Sequence, residues 1–212
     1  QIGWTGVDLF FVLSGFLIGG LLFNEIFQSG SLDVKRFIIR RGLKIWPAYY
    51  ALLIVAFVYQ LIHGTPLTKT VRMFIPFVLN TQCLGAHYFA GVGATWSLAV
   101  EEHFYALLPF LLLILIRMKG VAGLKRLPLI AVSVMVTILV YRYVSSGHSR
   151  FSTALYFPTQ RRIDSLFCGV LIAYYYRTKP EIFQAITHYR SIFLVIGLCA
   201  VVPFAFIWRD IH

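Results

Sequence analysis

The stretch from residue 98 to residue 116 reads LAVEEHFYALLPFLLLILI. Almost all of its residues are apolar, and an α-helix of this length is long enough to cross the hydrocarbon core of a bilayer. Two adjacent carboxylates, Glu101 and Glu102, stand near its beginning. Ionisable side chains at membrane depth are costly, which makes them candidates for function. The stretch therefore predicts a membrane helix that carries chemistry.

The rest of the chain has the same character. Of the 212 residues, 59% are apolar and only 13% are charged, and the mean hydropathy is +0.78. Soluble domains contain about 45–50% apolar and about 25% charged residues. The three scattered cysteines give no disulfide framework and no metal-ligand spacing. We therefore expect an all-α, polytopic membrane protein and exclude the soluble, disordered and disulfide-rich classes.

Apolar runs predict about six spanning helices. They lie near residues 8–27, 44–62, 98–116, 127–144, 163–177 and 190–208. A seventh stretch, residues 71–84, contains Pro76 and is short for a span. We expect this segment to be re-entrant or interfacial, a form that needs a protein or water-filled cover for its backbone.

The distribution of Lys and Arg predicts the orientation. If the spans alternate, twelve cations fall on one side: Lys35, Arg36, Arg40, Arg41, Lys44, Arg117, Lys119, Lys125, Arg126, Arg177, Lys179 and Arg190. Five fall on the other: Lys69, Arg72, Arg150, Arg161 and Arg162. Because cytoplasmic loops carry an excess of Lys and Arg, we expect the first set to face the cytoplasm. The net charge of +11 then reflects topology and a lipid environment, with no nucleic-acid partner.

The chain opens at Gln1, without Met, and enters an apolar run with no charged leader or cleavage signal of a secretory signal peptide. We expect residues 1–212 to form a single membrane-embedded domain. We also expect them to be an internal piece of a longer protein, incomplete at the N-terminus and at the C-terminus.

The carboxylate pair has two interpretations. Ser97, Glu101 and Tyr105 follow each other at intervals of four residues and share a helix face, whereas Glu102 points about 100° away. The pair is a functional site in one interpretation. In the other, two acids near a helix N-terminus simply favour the helix dipole. The neighbouring His103 is expected to face away from Glu101.

A second polar position lies in the first span. Asp8 precedes an apolar run, where it is either an N-cap or a functional acid. Ser14 and Gly15 follow, a pair that favours close helix packing over catalysis.

Two clusters of basic residues complete the candidates. Arg40, Arg41 and Lys44 precede aromatic residues and form either a positive-inside anchor or a cationic mouth for the phosphates of a nucleotide-like donor. Arg162 and Asp164 open the fifth span, where an ion pair is favoured over catalysis. Arg142, near the outer end of the fourth span, is expected to snorkel.

Four segments in order resemble acyltransferase family 3, a family of multi-pass membrane proteins. They are VDLFFVLSGF at residues 7–16, RRGLKIWPAYY at 40–50, WSLAVEEHFYALLP at 96–109 and RIDSLFCG at 162–169. The resemblance implies an O-acyltransferase of the bacterial inner membrane. Such an enzyme moves an acyl group, typically acetyl from cytoplasmic acetyl-CoA, to a hydroxyl of a cell-envelope or exported glycan. It implies no bound cofactor and no metal.

The resemblance also suggests roles for the residues. Glu101 and Asp8 are the catalytic candidates, Glu101 acting on the acceptor and Asp8 orienting a histidine base. The substrate-binding candidates are Arg40, Arg41, Lys44, Trp96, Ser97, Tyr105, Arg162 and Asp164. The family usually has Arg at the position of Lys44, and its histidine lies on a helix before residue 1, so we expect this piece alone to be inactive. A transporter or lipid-linked sugar flippase is the alternative, because buried carboxylates and aromatic walls also suit a substrate pathway.

Overall fold

The computed structural model describes residues 2–81, 95–146, 162–181 and 183–184. Within these ranges every regular element is helical, which confirms the all-α prediction. The helices are α1 (Ile2–Ser29), α2 (Val34–Ile62), α3 (Leu67–Val78), α4 (Trp96–Lys119), α5 (Leu127–Ser146) and α6 (Ile163–Thr178), and a 3₁₀ segment (Gly120–Arg126) joins α4 to α5.

Three stretches are long and apolar enough to cross a membrane: Gly6–Ser29, Val34–Ile62 and Trp96–Val144. The third is 49 residues long and contains α4 and all but the last two residues of α5. Its 3₁₀ segment packs back on α4, because Gly123 lies directly against the backbone carbonyl of Leu115. These stretches identify an integral membrane protein.

The number of six spans stays a prediction. α6 has 16 residues and a length of about 24 Å, which is short of the roughly 30 Å of a hydrocarbon core. The predicted span at 190–208 lies outside the described residues.

α2 begins ten residues earlier than its predicted span at 44–62. Asp33 caps the helix, since its Oδ1 accepts a hydrogen bond of 2.9 Å from the backbone N–H of Arg36. Arg40 and Arg41, which lie before the predicted span, therefore belong to the same helix as Lys44, and the predicted start of this helix at residue 44 is wrong. Lys and Arg are good helix formers. Because they are charged, a search for apolar runs does not include them in the predicted helix.

α3 corresponds to the segment predicted at 71–84 and is too short to span, with 12 residues and a length of about 18 Å. It packs on α2 through Phe74 and Phe77, which bury the ring of Tyr49 and the side chain of Leu53. The Tyr49 hydroxyl donates a 2.7 Å hydrogen bond to the Phe77 carbonyl. Residues 82–84 lie outside the described ranges, so a re-entrant path stays a prediction.

The core lies between α1, α4 and α6. Phe11, Phe104 and Phe167 are among its fully buried side chains, and the rings of Phe104 and Phe167 meet edge to face at 5.3 Å. On its other side α1 presents an exposed apolar stripe, formed by Leu9, Leu13, Leu17 and Leu21. An exposed apolar surface of this kind suits lipid.

The chain forms two compact units, residues 1–173 and 174–212. All contacts described below belong to the first unit. That residues 1–212 form one domain stays a prediction.

Candidate active site

α1 and α6 touch through their backbones. A Cβ on Gly15 would overlap the carbonyl of Leu166, and a Cβ on Gly169 would overlap the carbonyl of Val12 and lie 2.6 Å from the amide nitrogen of Phe16. Small residues allow this approach between membrane helices. The packing role predicted for Gly15 is confirmed.

This close contact brings Asp8 to Arg162. Asp8 Oδ1 accepts a hydrogen bond of 2.6 Å from Arg162 Nη1, and the Ser165 hydroxyl lies 3.4 Å from the same oxygen. Asp8 lies well inside α1, which begins at Ile2, so the N-cap interpretation is wrong. A salt bridge between the first and last motifs takes its place.

Asp164 makes a second ion pair, with Arg142 on α5, at 2.5 Å. Arg162 and Asp164 therefore pair with different helices: Arg162 with Asp8 of α1, and Asp164 with Arg142 of α5. An ion pair was predicted at this position, but its partners are on other helices. Arg142 was expected only to snorkel; the structure makes it a link between α5 and α6.

Glu101 lies at the centre of the site and is 3% exposed. Ser14 on α1 and Tyr105 on α4 interact with its carboxylate, and Arg41 on α2 attracts its charge. Its Oε1 atom is buried and has no hydrogen-bond partner within the described residues. α4 has no acid in its first turn, which excludes the interpretation of the carboxylate pair as a helix cap.

Other residues of the segment at 96–109 lie around Glu101 and its partners. Trp96 is buried and packs edge to face on Phe11 of α1, with ring centroids 6.0 Å apart. Ser97 is half-buried on the face of α4 that carries Glu101 and Tyr105. Glu102 faces elsewhere: its Oε2 accepts a 3.2 Å hydrogen bond from Trp46 Nε1 on α2. The two adjacent carboxylates thus have different partners: Ser14, Tyr105 and Arg41 for Glu101, and Trp46 for Glu102.

Arg40, Arg41 and Lys44 line one cleft of about 660 Å³ between α2 and the second half of α1. Arg36 adds a fourth cation, and Glu25 and Asp33 are the acids in its wall. A cleft of this size suits a ligand, and the cations favour an anion. The site residues predicted on α2 therefore come together.

Arg41 joins the cleft to the buried carboxylate. It lines the cleft, its guanidinium carbon lies 5.7 Å from the centroid of the Tyr105 ring, and its charge acts on Glu101. Arg41 is therefore shared by the cleft and by the surroundings of Glu101, which include the hydroxyls of Ser14 and Tyr105. An acid that accepts a proton and a cation that faces developing negative charge are the groups that acyl transfer requires.

Three side chains of this arrangement were not predicted as site residues: Ser14, Trp46 and Arg142. Each one acts across a helix boundary, to Glu101, Glu102 and Asp164 respectively. The available signal was a polar or charged residue in an apolar helix. Among the described residues, no group of three or more His, Cys, Asp or Glu side chains could hold a metal ion.

A polytopic membrane protein with a cationic cleft beside a buried carboxylate is the class that the fold and the site define. The family model of an acyltransferase domain, acyltransferase family 3, matches residues 2–211, and the chain belongs to this family.

Among curated proteins, the chain is similar to the peptidoglycan O-acetyltransferase OatA of Listeria monocytogenes. The two are 30% identical over 184 residues, which cover 81% of this chain and 29% of that protein. The O-acetyltransferase OatA of Staphylococcus aureus is 28% identical over 223 residues, covering 98% of the chain and 36% of the relative. An uncharacterised protein of Haemophilus influenzae is 28% identical over 191 residues, covering 83% and 77%.

The chain spans about a third of the length of the OatA proteins that it matches. No solved structure matches it.

Proposed function

We propose that the chain is the membrane-embedded part of an O-acetyltransferase that esterifies a hydroxyl of a cell-wall glycan, with acetyl-CoA as the cytoplasmic donor. Membership of the acyltransferase family supports the reaction class. Relatives named as peptidoglycan O-acetyltransferases support a cell-wall glycan as acceptor. The protein then lies in the bacterial inner membrane, where donor and acceptor approach from opposite sides.

The observation that carries the proposal is the position of Arg41, shared by the cationic cleft and the environment of Glu101. Arg40 and Lys44 hold the phosphates of the donor, and Arg41 lies where the acyl end enters. The Oε1 atom of Glu101, for which the described residues supply no hydrogen-bond partner, accepts the hydrogen bond of the attacking hydroxyl and orients this hydroxyl towards the thioester. A positioned acid or base of this kind contributes about 10²- to 10⁴-fold to a rate.

Asp8 acts at the other end of the site. Asp8 and Ser14 are six residues apart on α1, about 9 Å along the helix axis. The Asp8 side chain is 40% exposed although it pairs with Arg162, which leaves room for a further group beside it. We propose that Asp8 orients the histidine base that the family resemblance implies, and that Arg162 fixes the direction of the Asp8 carboxylate.

Transfer across sealed vesicles tests the proposed function. The full-length protein is reconstituted with radiolabelled acetyl-CoA on the side of the cleft and peptidoglycan fragments on the other side. We expect labelled O-acetyl ester on the glycan, and none when acetyl-CoA is replaced by CoA. Movement of the glycan across the membrane without ester formation would contradict the proposal and support the transporter alternative, which membership of an acyltransferase family does not favour.

A further inference from the structure

Trp46 makes a contact that the proposed chemistry does not use. Its indole N–H donates a 3.2 Å hydrogen bond to Oε2 of Glu102, across the boundary between α2 and α4. The second carboxylate oxygen of Glu102, Oε1, is buried and has no hydrogen-bond partner in the part of the chain that the structure describes. Among the residues that the structure describes, Trp46 is thus the polar group that fixes the direction of this carboxylate.

The indole ring of Trp46 packs against Gly42, which has no side chain. A Cβ at Gly42 would lie 2.8 Å from each of three atoms of the six-membered ring of Trp46, closer than carbon atoms pack. Gly42 is buried one turn before Trp46 on α2. Because glycine weakens the interior of a helix relative to alanine, a glycine here fits the need to admit the ring.

The two adjacent acids of α4 meet two residues of α2. Arg41 acts on Glu101 and faces Tyr105, and Trp46, five residues further along α2, binds Glu102. The Arg41 side chain is long and flexible, whereas the indole is rigid and packed on a backbone. Of these two contacts with α4, that of Trp46 is the one that can fix which face of α2 is turned towards α4.

We propose that Trp46, seated on Gly42 and bonded to Glu102, is a positioning residue that holds Arg41 against Glu101 and Tyr105. The inference rests on the proposed acyl transfer, because it assigns to Trp46 the alignment of the acyl end of the donor with the buried carboxylate. Donor affinity comes from the charges of the cleft, and substitution of Trp46 removes none of them. Loss of alignment therefore lowers kcat and leaves the KM for acetyl-CoA in place.

The test begins with Trp46→Phe, which keeps a ring over Gly42 and removes the N–H donor. Initial rates of glycan acetylation are measured with the full-length protein at matched protein levels. We expect kcat to fall about 10-fold, since a displacement of about 1 Å can cost up to about 10²-fold, with the KM for acetyl-CoA within about twofold of wild type. Glu102→Gln keeps a carbonyl acceptor and should stay close to wild type, whereas Glu102→Leu should resemble Trp46→Phe.

A second pair of variants distinguishes the contact between Gly42 and the Trp46 ring from a general effect on the stability of α2. Gly42→Ala should lower kcat about as much as Trp46→Phe, because the new methyl group displaces the ring. In a Trp46→Leu background, Gly42→Ala should cause no further loss, since the ring that it displaces is gone. Gly20→Ala on α1 is the control, because a Cβ there meets nothing within 4 Å.

The outcomes distinguish this inference from the proposed function. If wild-type protein transfers no acetyl group, the proposed function fails and the inference fails with it. If wild type is active and Trp46→Phe equals it, only the inference is overturned. A rise in the KM for acetyl-CoA at constant kcat, or equal damage by Gly42→Ala with and without Trp46, also overturns it.

Discussion

The contact between α1 and α6 differs in kind from the contact between α2 and α4. In the first, glycines bring two backbones together, and an ion pair between Asp8 and Arg162 closes the contact. In the second, long side chains make the contact, from Arg41 to Tyr105 and from Trp46 to Glu102. The cationic cleft lies between α2 and the second half of α1, and Arg41 belongs both to the cleft and to the contact with α4.

The difference teaches which polar residues assemble the protein and which are available to a substrate. Asp8 Oδ1 and Arg162 satisfy each other, so their pairing mainly fixes α1 against α6. Glu101 keeps a buried oxygen that no described residue satisfies. Leaving such a group unpaired is costly, and a substrate hydroxyl would remove the cost. We expect substitutions in the two contacts to fail in different ways.

Gly169→Val should have the largest effect. Its side chain would overlap the Val12 carbonyl, so α1 and α6 must separate. Overpacking costs about 1–3 kcal/mol or more, and we expect most of the folded protein to be lost from the membrane. Abundance in the membrane fraction and the Tm in detergent measure this. Gly20→Val, on an open surface of α1, is the control; normal accumulation of Gly169→Val would show that the contact is not tight.

Glu101→Gln should have the next largest effect and leave the fold intact. The amide keeps the size of the side chain and removes the charge, so acetyl transfer should fall about 10²-fold or more. Glu102→Gln should cost much less. The measurement is acetylated glycan at matched protein levels. Full activity of Glu101→Gln together with an inactive Glu102→Gln would identify Glu102 as the functional carboxylate, and two silent variants would leave no catalytic carboxylate here.

Arg41→Gln should have a smaller and more specific effect. Because a charge-assisted contact to the donor is lost, we expect the KM for acetyl-CoA to rise about 10-fold, while the KM for the glycan changes little. Steady-state kinetics with each substrate varied in turn measures both constants. Arg72→Gln on α3, at an exposed residue outside the cleft, is the control. Equal loss for both substrates with lower protein abundance would favour the anchor interpretation of the basic cluster.

Ser31→Cys should leave activity almost unchanged and report where the cleft opens. Ser31 lines the cleft and lies between α1 and α2, on the side where the neighbouring Lys35 and Arg36 are predicted to face the cytoplasm. A membrane-impermeant thiol reagent should label it only from the cytoplasmic side, and acetyl-CoA should slow the labelling. Labelling from outside intact cells would reverse the predicted orientation.

Apolar runs were sufficient to place most helices. α4, α5 and α6 lie within three residues of the predicted spans at each end, because a run of apolar side chains and the position where it stops are local properties. α2 was placed ten residues late because its first turns carry cations. The apolar run shows which part of a helix can lie in lipid. The helical hydrogen bonds of α2 begin before this part, at Val34.

The candidate site was predicted only along each helix. Spacing placed Ser97, Glu101 and Tyr105 on one face of α4, and the structure agrees. Spacing within one helix does not determine which residue of another helix lies opposite, since this depends on the rotation and crossing of both. Ser14 is an example. The pair of Ser14 and Gly15 was predicted to serve helix packing, but only Gly15 packs on α6, whereas Ser14 interacts with Glu101.

The most direct measurement is a double-mutant cycle between Arg41 and Glu101, because the central claim is that the cationic cleft and the buried carboxylate form one site. Acetyl transfer is measured as kcat/KM for wild type, Arg41→Gln, Glu101→Gln and the double variant. Residues that act together are not additive. We expect the double variant to be no worse than Glu101→Gln alone, a coupling of about 1.4 kcal/mol if Arg41→Gln costs about 10-fold. Losses that multiply, to about 10³-fold, would show that the cleft and the carboxylate act independently and would contradict the claim.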